Sequence, residues 1–183
     1  ALHIIYLYNQ LKDNPNIVKG EAGSPYAIKD YYDVNPYLAD NPNNRREEFD
    51  SLVERTHKAG FKVIIDFVPN HLARVYNSDC APKDTEDFGI HDKLGSFSPD
   101  NNFYYIPGTK YINGDYIEKP AKASGNDCFS ASPSVNDWYE TVKLNYGVDY
   151  MNGCTKHFNP IPDTWTKMYN ILRFWCQKGV DGF

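Results

Sequence analysis

"FKVIIDFVPNH", Phe61 to His71, decides how this chain is read. Phe61, Val63, Ile64, Ile65 and Phe67 form an apolar run that does not alternate with polar residues. A run of that kind is expected of a strand with both faces covered, as in a parallel sheet. Yet it carries Asp66 and finishes in Asn70 and His71. In parallel α/β sheets and barrels, ligands meet the carboxyl ends of the strands. A carboxylate, an amide and an imidazole at such an end mark the place for a site.

The residues before the run predict a helix. In "NNRREEFDSLVERTHKAG", 43–60, Phe49, Leu52, Val53 and Thr56 share one face of a 3.6-residue period. Asn44 is the expected N-cap, with Glu47 three residues on as in a capping box. Gly60 is the expected stop. The phrase recurs at the other end of the chain. "DTWTKMYNILRFWCQKG" sets Trp165, Met168, Ile171, Leu172 and Trp175 on one stripe, with Asp163 as N-cap and Gly179 as stop. "VDGF" then opens another strand. Two helix–glycine–strand phrases predict an α/β fold with parallel strands.

Between these phrases lies the segment from Leu72 to Asn159, where a βα loop usually spans about 2–6 residues. It is rich in Asn, Asp, Gly, Pro and Tyr, and too aromatic for a disordered linker. It is expected to be an irregular, strand-containing insertion rising from the edge that carries Asp66, Asn70 and His71. The expected organisation is 1–71, the first part of an α/β domain, 72–159, the insertion, and 160–183, a helix and the start of the next strand.

The composition is that of a soluble globular protein: 183 residues, 41% hydrophobic and 23% charged, with a net charge of −5. No basic cluster offers a nucleic-acid face, since Arg45-Arg46 is followed at once by Glu47-Glu48. No stretch reaches the roughly 20 apolar residues of a membrane span. "ALHIIYLY" at the start lacks the flank of a signal peptide, and the absence of an initial Met fits a processed or excised segment. The compartment is left open. The 15 tyrosines suit either core packing or a ligand with polar edges and apolar faces, sugars among them. None of Cys80, Cys128, Cys154 and Cys176 is spaced as in a zinc or redox motif. Cys80 and Cys128 lie in loops and are able to pair in an oxidising compartment, while Cys176 is expected in the core.

Three stretches resemble the α-amylase family of glycoside hydrolases. "DFVPNH", Asp66 to His71, is similar to that family's signature at the end of barrel strand three. "GSPYAIKDYYDVNP", Gly23 to Pro36, resembles the segment after strand two, and "GVDGF", Gly179 to Phe183, the opening of the signature on strand four. The family's domain B is inserted after strand three, where the long segment falls here. The resemblance implies a partial (β/α)8 (TIM) barrel, roughly strands two to four, with "ALHIIYLYNQ" as strand two or a remnant of it. It implies an α-glucan or oligosaccharide partner and the remainder of a barrel.

Residue by residue, it implies that Tyr26 stacks on the sugar at the cleavage point and that His71 hydrogen-bonds its hydroxyl. Asp66 would order the catalytic centre and Asp30 would be a structural carboxylate near Tyr26. Asn70 would be a calcium ligand, as in the calcium-dependent members. Read without the resemblance, His71 and Tyr26 are packing residues, Asp66 a cap on strand-end amides and Asn70 a turn residue after Pro69.

The family's retaining chemistry needs two carboxylates about 5–5.5 Å apart. Its nucleophile follows in the pattern D-G-F-R-x-D, so both catalytic carboxylates are expected beyond Phe183. The 183 residues alone are expected to be inactive and, with barrel edges open, prone to aggregate. A non-catalytic sugar-binding chain on the same scaffold is the alternative. The glycine loop of nucleotide-binding folds is absent.

Overall fold

The computed structural model describes residues 5–7 and 26–183; Gly23–Pro25 of the segment quoted above lie outside them. Strand β1 (Ile5–Leu7) pairs antiparallel with β2 (Ile28–Val34) through an irregular register. A barrel strand would run parallel to its neighbour, so β1 is not strand two in that sense. Helices α1 (Arg45–Lys58) and α2 (Asp163–Gln177) stand where the apolar periodicity puts them. Between them lie β3 (His71–Ala73), β4 (Tyr105–Ile106), β5 (Tyr111–Asn113), β6 (Tyr116–Glu118), β7 (Ala121–Lys122), β8 (Thr141–Lys143), β9 (Val148–Asp149) and β10 (Thr155–Lys156). They form four antiparallel pairs, β3–β8, β4–β7, β5–β6 and β9–β10.

The opening stretch meets "VDGF" in parallel, with Ile64 bridging Gly182. The amide of Ile65 donates to Gly182 O at 3.1 Å and that of Asp181 to Val63 O at 2.9 Å. Asp181 strengthens this joint: its carboxylate accepts from the Val63 amide, the Lys62 ammonium and the His57 ring. Those partners hold its pKa far below the usual carboxylate range, the Lys62 hydrogen bond foremost. The expectation of two covered faces fails. Val63 and Ile65 are buried, whereas Phe61 and Ile64 are exposed. Phe49 and Val53 of α1 and Ile171 and Trp175 of α2 share a core with Val63 and Ile65, and the described residues supply no second layer over Ile64.

The helix ends depart from expectation in detail. Asn44 precedes α1 but makes no side-chain cap. Glu48, rather than Glu47, reaches back to accept from the amides of Asp40 and Asn41. In α2, Pro162 is the N-cap and Asp163 the first helical residue; the Asp163 carboxylate instead accepts from Asn102 Nδ2. The buried stripe is Thr164, Met168, Ile171 and Trp175, which leaves Trp165 exposed and Leu172 half-buried. Cys176, one residue past Trp175, turns away from that stripe and is exposed rather than core. Cys80 and Cys128 are both free thiols. Cys80 sits 3.8 Å from the Arg45 guanidinium, while Cys128 bridges Ser124. Gly179 stops α2 at φ +90°, and a Cβ there would meet Val53 Cγ1 at 2.8 Å.

One apolar core runs through both helices, β2 and the segment between them, joining Tyr31 and Trp175 to Leu72, Phe103, Val142 and Leu144. Trp175, 1% exposed, donates from Nε1 to Tyr31 O at 2.7 Å. Trp175→Phe should keep most of the packing and leave that carbonyl without its donor. The expected loss is about 1–3 kcal/mol in urea unfolding with the slope unchanged; Trp175→Ala should lose about 3–5 kcal/mol.

Candidate functional site

The turn from Val68 to His71 is held through its carbonyls. Buried Tyr31 donates its hydroxyl to Val68 O at 2.6 Å and lies 3.1 Å from His71 O. Tyr146 donates to Pro69 O at 2.5 Å, and the Leu144 amide to Asn70 O at 3.1 Å. The carbonyls of Val68, Pro69 and Asn70 each have a donor, which fixes the path of the turn and aims the side chains of Asn70 and His71.

His71 is 6% exposed, and both ring nitrogens are engaged. Nε2 lies 3.1 Å from Tyr26 O, a pure acceptor, so it carries the proton. Nδ1 lies 3.0 Å from Asn70 Nδ2, a donor, so it accepts. This is the neutral Nε2–H tautomer. Burial lowers the imidazole pKa; the bond to Tyr26 O opposes the shift, and the nearby Lys143 ammonium adds to it. Asn70 also donates to Gly125 O at 2.7 Å and accepts from Lys143 Nζ at 3.4 Å. Its amide orientation is therefore consistent on every side.

Two further residues complete the surroundings, and sequence reading missed both. Gly125 packs directly under the imidazole: a Cβ would meet His71 Cβ and Cγ at 2.8 Å and Thr141 Oγ1 at 2.6 Å. Trp138 lies edge-on to His71, with centroids 5.4 Å apart, and is 51% exposed. Its backbone is left-handed, φ 45° and ψ 44°, an uncommon state for a bulky residue that clusters at functional sites. The amide and hydroxyl of Thr141 both donate to Trp138 O at 2.8 Å and hold it there. Ser134 and Asp137 form a capping box around the turn before it. The S-x-x-D spacing was the available signal for that turn.

The remaining expected residues divide. Tyr26 is brought to His71 through its carbonyl, and the residue is 43% exposed. Asp66 is half-buried, one residue past the Ile65–Gly182 joint. Asp30 is buried and faces another loop. Its carboxylate accepts from the Tyr32, Asp79 and Cys80 amides and the Ser78 hydroxyl. Burial raises its pKa against those bonds. It ties β2 to residues 78–80, a structural task.

The family model of the alpha-amylase catalytic domain matches residues 5–183. An alpha-glucosidase of Apis mellifera is 29% identical over 166 residues, 86% of this chain and 24% of the relative. The amino acid transporter heavy chain SLC3A1 of Homo sapiens is 27% identical over 166 residues, 86% and 20%. Among solved structures, an alpha-amylase from Lactobacillus plantarum superposes with a TM-score of 0.47 at 25% identity, covering 95% of this chain and 27% of that one. The chain thus spans about a quarter or less of the length of these curated relatives.

Two outcomes follow from the packing of His71. Gly125→Ala should displace the imidazole and destabilise by about 1–3 kcal/mol, read by thermal melt and by the His71 ring resonances. The depressed pKa also has a sign. The native ring stays neutral where the unfolded ring, with a pKa of about 6.5, takes up a proton. Its contribution is therefore full above about pH 6.5 and declines as pH falls towards the lower folded pKa. His71→Gln should flatten that part of the stability–pH curve in denaturant titrations between pH 7 and 5.

Proposed function

The chain belongs to the alpha-amylase family, whose catalytic domain is built on a TIM-barrel scaffold. From that premise we propose that it supplies the sugar-contacting face of a retaining glycoside hydrolase or transglycosylase acting on the α-glucosidic bonds of starch-like glucans or malto-oligosaccharides. One observation carries the reading. The exposed indole of Trp138 stands edge-on to a buried, neutral and oriented imidazole at the end of the strand that pairs with "VDGF", and the carbonyl of Tyr26, an exposed residue, caps its Nε2–H. Aromatic faces cover the apolar faces of a sugar ring, and an imidazole N–H reads a hydroxyl. Sugar contact at His71 Nε2 exchanges Tyr26 O for a hydroxyl oxygen, one acceptor for another.

In this reading the barrel portion is roughly strands three and four, 72–159 is the domain-B-like insertion, and Asp66 and Asp30 act by positioning. It places neither the nucleophile nor the acid/base among Tyr26, Asp30, Asp66, Asn70 and His71. A second reading, a non-catalytic carbohydrate-binding chain on the same scaffold, draws on the similarity to an amino acid transporter heavy chain.

Titration calorimetry of the full chain with maltoheptaose tests the sugar face. Trp138→Gly keeps the left-handed backbone without strain and should weaken binding by about tenfold or more while leaving the melting temperature equal or higher. Unchanged affinity in Trp138→Gly and Tyr26→Ala would refute the assignment. Binding by the full-length protein without any turnover would favour the second reading.

A further inference from the structure

The family's calcium-dependent members point to Asn70 as a ligand, and the residues around Asn70 do not fit that ion. Calcium takes about 6–8 oxygens at 2.3–2.6 Å. Here Asn70 Oδ1 accepts from the ammonium of Lys143. That ammonium is ion-paired with Asp127 Oδ1 and lies 5.2 Å from the Tyr150 ring centroid. The Lys143 side chain is 8% exposed. An amide oxygen, a carboxylate and an aromatic face surround one buried positive charge. A divalent ion brought against Asn70 Oδ1 would meet that charge, and the single carboxylate is already neutralised by it.

No other described donors change this. Asn126 Oδ1 is buried and without a hydrogen-bond partner, but its amide nitrogen turns to Asp137 on the neighbouring turn. Among the described residues, only Asp30, Asp33 and Cys80 bring three ligand-type atoms together. There Asp33 is paired with Arg45 and both oxygens of Asp30 accept amide or hydroxyl hydrogens.

We propose that the Lys143 ammonium is a built-in cation that does the work of a structural metal, fastening Asn70 at the strand end to Asp127 of the insertion and making this joint independent of calcium. The backbone supports the placement. Lys143 pairs with His71 across β3 and β8, so its Cα is fixed beside the turn it serves. Asp127 is held at φ 67°, where its amide donates to Ser124 O. The chain of contacts continues to the site. With Oδ1 on the ammonium, Asn70 turns its nitrogen to Gly125 O and His71 Nδ1, which fixes the tautomer that donates from Nε2 to Tyr26 O. Lys143 is thus a positioning residue for His71. That last step alone rests on the sugar-binding reading; the replacement of calcium does not.

The test is the melting temperature of the full chain in excess EGTA and in millimolar calcium, alongside Lys143→Met and Lys143→Arg. The wild type should melt at the same temperature in both solutions. Lys143→Met should melt several degrees lower, since Asn70 Oδ1 loses its donor, and Lys143→Arg should recover most of the loss. In Lys143→Met the His71 ring nitrogens should also lose their single-tautomer signature, a change that simple loss of packing does not require. A wild type stabilised by calcium or destabilised by EGTA would overturn the proposal, as would a Lys143→Met protein that melts like the wild type. If Lys143→Met does not fold, the wild-type comparison decides. Failure of sugar binding with calcium-independent melting would remove the sugar reading and leave this one standing.

Discussion

Tyr31 holds the two halves of this structure together. Its carbonyl receives the indole N–H of Trp175 from α2, and its hydroxyl holds Val68 O in the turn that carries Asn70 and His71. The ring is fully buried against Phe67, Tyr76 and Phe88. Burial drives its hydroxyl pKa well above the usual value, so it remains a donor at any physiological pH. The helix, the strand and the turn are each fixed to a single residue, and the site inherits that rigidity.

The site follows from this constraint by short steps. The turn carbonyls are satisfied, so Asn70 and His71 have one direction to face. Asn70 is clamped between Lys143 and Gly125, so its nitrogen points at His71 Nδ1. The imidazole then presents Nε2–H toward Tyr26, with Trp138 at its edge. Each step places one hydrogen and leaves little freedom for the next. That is the preorganisation a polar ligand requires, since binding then spends little on ordering the site.

Much of this was legible in the sequence. The helical periods ended at glycines with positive φ, Gly60 and Gly179, because only a residue without Cβ adopts that conformation cheaply. The polar end of the apolar run located Asn70 and His71. What was hidden depended on partners far along the chain. Lys143 is 73 residues from Asn70, and nothing in "TVKLN" announces that its ammonium will be buried. Trp138 read as one aromatic among many until its left-handed backbone was known. The exposure of Ile64 reflects what lies above the strand, which its own composition does not encode. Thr164, four residues before Met168, lies on the buried stripe, and Trp165 at the same end of α2 lies off it, where its indole donates to Tyr146 O.

The most direct measurement of the central claim is the nitrogen NMR spectrum of the His71 ring in the full chain, followed from pH 7 to 5 and then during addition of maltoheptaose. The account predicts a neutral Nε2–H tautomer that resists protonation below pH 6.5, and a selective shift of Nε2 as sugar replaces Tyr26 O. A ring that titrates like an exposed histidine, or one that ignores saturating sugar bound elsewhere on the protein, would contradict it.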